Sequence, residues 1–188
     1  MVEIVPYKST WPAEFLAIAS VLRQGLGPLA LRIDHIGSTS VPGLAAKDII
    51  DIQVTVAALN QELLSAMAAL GYTWREDFSS DHRPPLAKGP ESDWGKWVFD
   101  PPEGQRPTHT HVRVPGRPNQ RFPLLFRDYL RTHPATAEAY AELKRRLAGQ
   151  IPDRLVYSVV KDPAVDLIYL PAEEWAAAAG WQPGPSDA

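Results

Sequence analysis

The sequence predicts an α+β fold of mixed α/β character: a mixed β-sheet flanked by helices, with a helical C-terminal third from about residue 121. Two period-two apolar runs, around 31–36 and 49–56, bracket a loop of small residues, and a third alternating run covers 108–114. Helical spacing of apolar residues marks 11–22, 60–70 and most of the chain after Phe122. At 188 residues the chain has the length of one domain, placed at 1–180, with 181–188 read as a flexible tail.

The first helix starts near Trp11-Pro12, because proline suits the first helical turn, and aligns Phe15, Ile18, Ala19 and Leu22. Gly25, Gly27 and Pro28 stop it. A strand from Leu31 to Ile36, the loop, and a strand from Ile49 to Val56 follow. On the latter, Ile50, Ile52, Val54 and Val56 share one face, and Asp51, Gln53 and Thr55 share the other. A helix from about Asn60 carries Leu63, Leu64, Met67 and Leu70, and Gly71 closes it. Tyr72 to Arg75 begins another strand.

Six prolines break 77–107 into a long loop around a short strand at Lys96–Phe99. Trp94 and Trp97 read as anchors packing that loop onto the domain, with stacking on a nucleobase as the alternative. Thr108 to Val114 places His109, His111 and Arg113 on one face. Phe122, Leu125, Phe126 and Tyr129 then mark a helix closed by His133-Pro134. Ala137, Tyr140, Ala141 and Leu147 mark the next, whose Lys144, Arg145 and Arg146 read as a solvated basic face. A further helix holds Leu155, Val156, Val159 and Val160, and a final pair runs from about Pro163 to Ala179, broken at Pro171.

The candidate chemistry gathers at the loop and the strands beside it. Gly37, Ser38, Thr39 and Ser40 offer backbone N–H groups and short hydroxyls without bulk, as close approach to a phosphate requires. The competing reading is a plain Gly/Pro turn whose hydroxyls satisfy loop backbone. An ATP-binding P-loop does not fit, because Gly37 and Gly43 have the wrong separation and Lys47 stands four places past Gly43. Asp51, a carboxylate on an otherwise apolar strand, requires a partner. Should the 108–114 strand lie beside it, imidazole, guanidinium and carboxylate meet on the open face of the sheet. His-x-His alone is a weak metal signature, so His111 is expected to hydrogen-bond or to face a phosphate.

Composition narrows the function classes. The net charge of -3, from 19 basic and 22 acidic residues, exerts no global pull on nucleic acid, which is disfavoured as the main partner. Absence of cysteine excludes disulfides, a thiol nucleophile and thiolate metal sites. No long apolar run and no signal-like N-terminus appear, so no membrane association is expected and the cytoplasm is the expected compartment.

With these residues in place, the chain resembles the GrpB family, also called UPF0157, of the nucleotidyltransferase superfamily. The likeness rests on His35-Ile-Gly-Ser-Thr-Ser-Val-Pro-Gly-Leu-Ala-Ala-Lys47 with Ile50-Asp51-Ile52, and on His109-Thr-His111-Val. Supporting blocks are Leu125-Phe-Arg-Asp-Tyr-Leu130, Tyr140-Ala-Glu-Leu-Lys144 and Tyr157 with Lys161. It extends, at Trp94-Gly-Lys96 and Ala172-Glu-Glu-Trp175, to the C-terminal domain fused to dephospho-CoA kinase in some actinobacteria, which implies a functional link to that enzyme.

The resemblance implies a nucleotidyltransferase-like fold, a Gly-Ser loop holding phosphates, and an acid-apolar-acid step binding Mg²⁺. Carried over, Gly37 and Ser38 form the phosphate loop and Asp51 is the metal ligand; the loop and strand faces add Thr39, Ser40, Lys47, Gln53, His109 and Arg113 as nucleotide- or phosphate-binding residues and make Asp51 with His111 the catalytic pair. Gln53 stands where the second acid belongs, which leaves the acidic metal site incomplete. Two functions follow as expectations. One is Mg²⁺-dependent transfer of a nucleotidyl or related phosphorus-linked group to a small acceptor. The other is a non-catalytic module that binds a nucleotide or a coenzyme A precursor. A phosphohydrolase built on His109 and His111 is a minor third.

Overall fold

Alternating side chains along the chain become a five-stranded sheet. The computed structural model, which describes residues 2–85 and 87–188, contains β1 (Ala30–Ile36), β2 (Ile50–Val56), β3 (Thr73–Trp74), β4 (Trp97–Asp100) and β5 (Thr108–Arg113), in spatial order β1-β2-β5-β4-β3. β2 and β5 run parallel, and the other neighbours are antiparallel. That parallel pair sets Asp51 beside His109 and Gln53 beside His111. Since strand side chains alternate between faces, all four project to the same side.

Among the described residues five α-helices surround the sheet: α1 (Trp11–Leu26), α2 (Gln61–Ala69), α3 (Pro118–Thr132), α4 (Pro134–Gln150) and α5 (Arg154–Ala179). The side chain of Asn60 caps α2 by accepting from the Leu63 N–H at 3.0 Å. Trp11, Phe15, Leu22, Leu63 and Met67 from α1 and α2 close over Ile33, Ile50, Ile52, Val54 and Val112. Each such burial contributes about 1.5–3 kcal/mol, so this face supplies stability and leaves the opposite face free for polar groups. α3, α4 and α5 build a second apolar cluster, including Leu125, Phe126, Leu130, Tyr140, Ile168, Tyr169 and Ala172, with Val41, Leu44 and Ala45 of the segment before β2. The space between this helical layer and the polar face of the sheet holds the candidate site.

Three sequence expectations need revision. Residues 154–179 form one helix, although a break was expected at Pro171 and a separate element before Pro163. Each proline removes a bond to the carbonyl four residues earlier. Those carbonyls belong to Val159 and Leu167, which are 69% and 74% exposed, so water can take the place of the missing N–H. The other side of the helix, including Tyr157, Val165, Ile168 and Tyr169, is buried and holds it on course.

Residues 181–188, expected as a flexible tail, instead cover the outer edge of β1. Ser186 Oγ accepts from the Ile33 N–H at 2.9 Å and donates to the Ile33 carbonyl at 3.0 Å. Asp187 accepts from the His35 N–H at 2.9 Å and from buried Arg127 at 2.7 Å. An edge strand has unpaired backbone groups, and these contacts satisfy them. Asp187→Ala is expected to cost about 1–3 kcal/mol by leaving Arg127 and the His35 amide short of a partner, read as a lower urea midpoint with unchanged m-value.

The described part of the long loop after β3 is anchored by Trp94, which is buried and sits edge-on to Phe122, while Trp97 packs on Trp74 and Phe99. Both tryptophans therefore act as anchors. The solvated face assigned to Lys144, Arg145 and Arg146 divides: both arginines pair with Glu142 at the surface, and Lys144 turns inward, 3% exposed.

Candidate functional site

The site begins where β1 ends. Gly37 takes φ +70, ψ -172, a conformation open to glycine and strained for other residues. A Cβ there would overlap Asp51 Oδ2 and lie 2.9 Å from Asp51 Cβ. Glycine thus lets the loop backbone lie directly against the β2 carboxylate. Ser38–Ser40 form a single tight turn, closed by Ser40 N–H to the Gly37 carbonyl at 3.2 Å and by Ser40 Oγ to the same carbonyl at 2.6 Å.

A cavity of about 530 Å³ opens above this corner. Its floor is Gly37, Ser38, Asp51, His109 and His111 from the sheet side. Phe122 and Phe126 of α3, Tyr140 and Lys144 of α4, and Tyr157, Lys161 and Asp162 of α5 form the opposite wall, and Lys47 and Lys96 lie at its sides. Lys144 Nζ donates to Ser38 Oγ at 2.9 Å and to the Ala45 carbonyl, so α4 is tied to the loop by a buried ammonium. Tyr140 and Lys144 are four residues apart, as are Tyr157 and Lys161, so each pair shares one helical face. Lys144 lies over the Tyr140 ring, 4.6 Å from its centroid, and Lys47 is 5.7 Å from that of Tyr157.

Lysines and carboxylates share the lining of this cavity, Lys47, Lys96, Lys144 and Lys161 with Asp51, Asp81, Asp100 and Asp162 among them. Burial pushes Lys144 down to about 7, reinforced by Lys161, while Asp51 partly offsets the effect. Burial likewise lowers Lys47 and Lys96. For Lys161 burial also acts downward, but Tyr140 and Asp162 outweigh it and the ammonium is stabilised. Burial would raise the Asp51 carboxyl, yet the His109 hydrogen bond, His111 and Lys47 hold it at about 2. His109 Nδ1 lies 3.1 Å from Asp51 Oδ1; an ionised carboxylate only accepts, so this nitrogen is the donor. His111 is kept neutral by burial, then by Lys96 and Arg113, and its Nδ1 is buried without a hydrogen-bond partner among the described residues.

Not every residue expected at the site reaches it. Gly37, Ser38, Thr39, Lys47, Asp51, His109 and His111 line the cavity. Thr39 is nearly inaccessible, with Oγ1 3.0 Å from His35 Nε2. Ser40 is turned back on its own loop, and its carbonyl accepts from Arg131 at 2.8 Å. Gln53 and Arg113, expected to bind nucleotide, are structural instead. The Gln53 amide donates to the Gln120 carbonyl of α3 at 3.0 Å and accepts from Arg113 at 2.7 Å. Arg113 grips Asp81 through two bonds of 2.8 Å. The physical reason is that α3 covers this half of the polar face, so parity alone does not put a side chain in the open part.

Asp81, Lys144 and Lys161 were missed as site residues. Asp81 accepts from Arg113, from Lys96 at 2.6 Å and from Asn119 at 3.1 Å, which fastens the long loop to β5 and α3. No periodic signal marks it within its Pro-rich stretch. The lysines did leave a signal, the repeated Tyr-x-x-x-Lys spacing.

Fold and site define a class: an α+β protein in which a mixed sheet and a three-helix layer enclose a lysine-bearing cavity floored by a strand aspartate and two histidines. The chain belongs to the GrpB family, whose description, GrpB protein, matches residues 1–170. It is 38% identical over 200 residues to the dephospho-CoA kinase of Mycolicibacterium paratuberculosis, covering 97% of this chain and 48% of the kinase. The chain thus spans about half the length of the kinases it matches. The UPF0157 protein PA4798 of Pseudomonas aeruginosa is 41% identical over 169 residues, covering 87% of this chain and 64% of that one. The crystal structure of GrpB from Enterococcus faecalis superposes with a TM-score of 0.72 at 30% identity, over 92% of this chain and 99% of the other. Among the described residues no helix is long and apolar enough to cross a membrane.

The Mg²⁺ implied by the family likeness fits these residues poorly. Mg²⁺ prefers an octahedron of oxygens, whereas the donors here are one carboxylate and two imidazoles. The second-acid position is Gln53, whose amide is fully buried and already paired at both ends. No reaction step is therefore built on Mg²⁺.

Proposed function

We propose that this chain is a nucleotidyltransferase-like protein that moves a nucleotidyl or related phosphorus-linked group onto a small acceptor. The observation that carries the reading is that Ser38, Lys47, Lys144 and Lys161 line the same cavity as Asp51 and His111, with Lys144 bonded to Ser38 across it. Phosphate oxygens would lie against the lysines and the Ser38 hydroxyl, which moves its contact from Lys144 to the ligand. The aromatic wall of Tyr140, Tyr157 and Phe126 offers apolar surface to the rest of the nucleotide. In the transfer, the acceptor's hydroxyl oxygen bonds to the α-phosphorus as the bond to the bridging oxygen breaks. Pyrophosphate leaves toward Lys144 and Lys161, and the acceptor's proton passes to solvent. Asp51 and His111 flank the reacting phosphorus.

A second reading, a binding module without turnover, is favoured by the structural use of Gln53, which leaves Asp51 as the carboxylate of that strand face in the cavity. Its ligand would be a nucleotide or a coenzyme A precursor, given the likeness to dephospho-CoA kinases. Incubation with nucleoside triphosphates, candidate acceptors and divalent ions separates the two: pyrophosphate release abolished by Asp51→Asn supports transfer, and saturable binding without product supports the module.

Both readings require an anion beside Lys144, and this gives a pH dependence. The ammonium is protonated below about 7 and neutral above, facing Lys161, Lys47, Tyr140 and Asp51. Sulfate keeps its charge throughout this range, so its affinity should fall about tenfold between about pH 6 and about pH 9 as the cation is lost. The slope should flatten in Lys144→Met, measured by calorimetric titration.

A further inference from the structure

The geometry points to a divalent first-row transition ion, rather than Mg²⁺, held by Asp51, His109 and His111. One ligand atom from each side chain lies within 4.8 Å of the other two. Bonds of about 2.1 Å place two ligands at most about 4.2 Å apart, so small side-chain rotations bring the three onto one ion. The strand register makes this arrangement rigid: Asp51 and His109 are lateral neighbours across the parallel β2–β5 pair, and His111 is the next residue on the same face of β5.

A second observation points the same way. Among the described residues His111 Nδ1 is buried with no hydrogen-bond partner, in a side chain that lines the cavity. Such an orphan is costly unless something occupies it. A cation satisfies a neutral imidazole lone pair directly. Two nitrogens and one carboxylate are the donor set that suits Mn²⁺, Fe²⁺, Co²⁺ or Zn²⁺, and three protein ligands leave positions open for substrate oxygen.

The neighbouring cations weigh against weakly bound ions. Lys47 acts on Asp51, and Lys96 acts on His111, although Lys96 is itself bonded to Asp81 at 2.6 Å. Mg²⁺, which gains little from imidazole, is the ion most disadvantaged by this field. An ion with strong nitrogen bonds tolerates it.

The inference deepens the proposed function, because the ion would sit where the phosphorus-linked group reacts. It is tested without nucleotide, so that either can fail alone. Chelator-stripped protein is titrated separately with Mn²⁺, Co²⁺, Zn²⁺ and Mg²⁺ by calorimetry, and the Co²⁺ complex is followed by its visible spectrum. One ion per chain is expected, bound at least about tenfold more tightly for Co²⁺ or Zn²⁺ than for Mg²⁺. His109→Gln should weaken Co²⁺ by about tenfold or more and change its spectrum. This histidine is half-exposed and its replacement is compatible with folding, which circular dichroism checks; Asp51→Asn serves as the second variant. Equal affinity for Mg²⁺ and Co²⁺, no saturable binding, or folded variants that bind like the parent would each overturn the inference.

Discussion

Replacing Gly37 with alanine is expected to cost on the order of 3 kcal/mol of stability and to reduce anion affinity at least about tenfold. Two effects combine at this position. The backbone conformation is open to glycine and strained for alanine by about 1–3 kcal/mol. The added methyl also collides with Asp51, whose Cβ would be 2.9 Å away. That contact is with the stem of a side chain on a central strand and cannot be relieved by a distal rotation, so either the loop or the carboxylate must move. Gly43 separates strain from collision, because it also has a positive φ of +81 but a methyl added there would meet no atom of the described residues within 4 Å. Gly43→Ala should lose only the strain component and retain sulfate binding. Urea melts and sulfate titrations of the two variants check this, and equal behaviour of Gly37→Ala and the parent protein would show that the close approach has no consequence.

Asp81→Asn is expected to cost about 3–5 kcal/mol, the penalty for stranding buried charge. Arg113 and Lys96, whose side chains are 5% and 12% exposed, would lose their shared carboxylate. The Asn119 contact would also weaken, freeing the loop between β3 and β4 from β5 and α3. Burial alone would raise the Asp81 carboxyl, but Arg113, followed by Lys96, holds it well below the usual carboxylate range. A depressed folded-state value means that its contribution to stability is complete above the unfolded value of about 4. It is lost as the pH falls below that point. The parent protein should therefore lose stability on acidification from about pH 5 downward, and Asp81→Asn should show a shallower acid slope. Guanidinium melts across that range read both the size and the slope.

Strand parity is a local property, and it was enough to put Asp51, His109 and His111 on one face. The parallel pairing of β2 with β5 then supplied the neighbourhood that the sequence left conditional. Parity does not reveal which part of a face is covered. Gln53 and Arg113 lie on the expected side but under α3, whose Gln120 carbonyl receives the Gln53 amide. A similar limit applies to Lys144. In the run Lys144-Arg145-Arg146 each residue turns about 100° from the last, so one points inward while the others face water, and the run of charge conceals this. The spacing to Tyr140 and the matching Tyr157-Lys161 pair were the informative pattern. Asp81 had no such pattern, since loop residues acquire partners only through tertiary contact. The docked tail, too, depends on a long-range match, between Asp187 and the Arg127 guanidinium.

In the proposed function the cavity between sheet and helices receives phosphate groups on lysines contributed by α4 and α5. Its most direct test is calorimetric titration of the protein, and of the Lys144→Met, Lys161→Met double variant, with a panel of nucleoside triphosphates and coenzyme A precursors. Saturable binding of at least one of these by the parent protein is expected, with a loss of about a hundredfold in the folded double variant, in keeping with two charge-assisted contacts. Absence of binding at millimolar concentrations, or equal affinity in the two proteins, would contradict it.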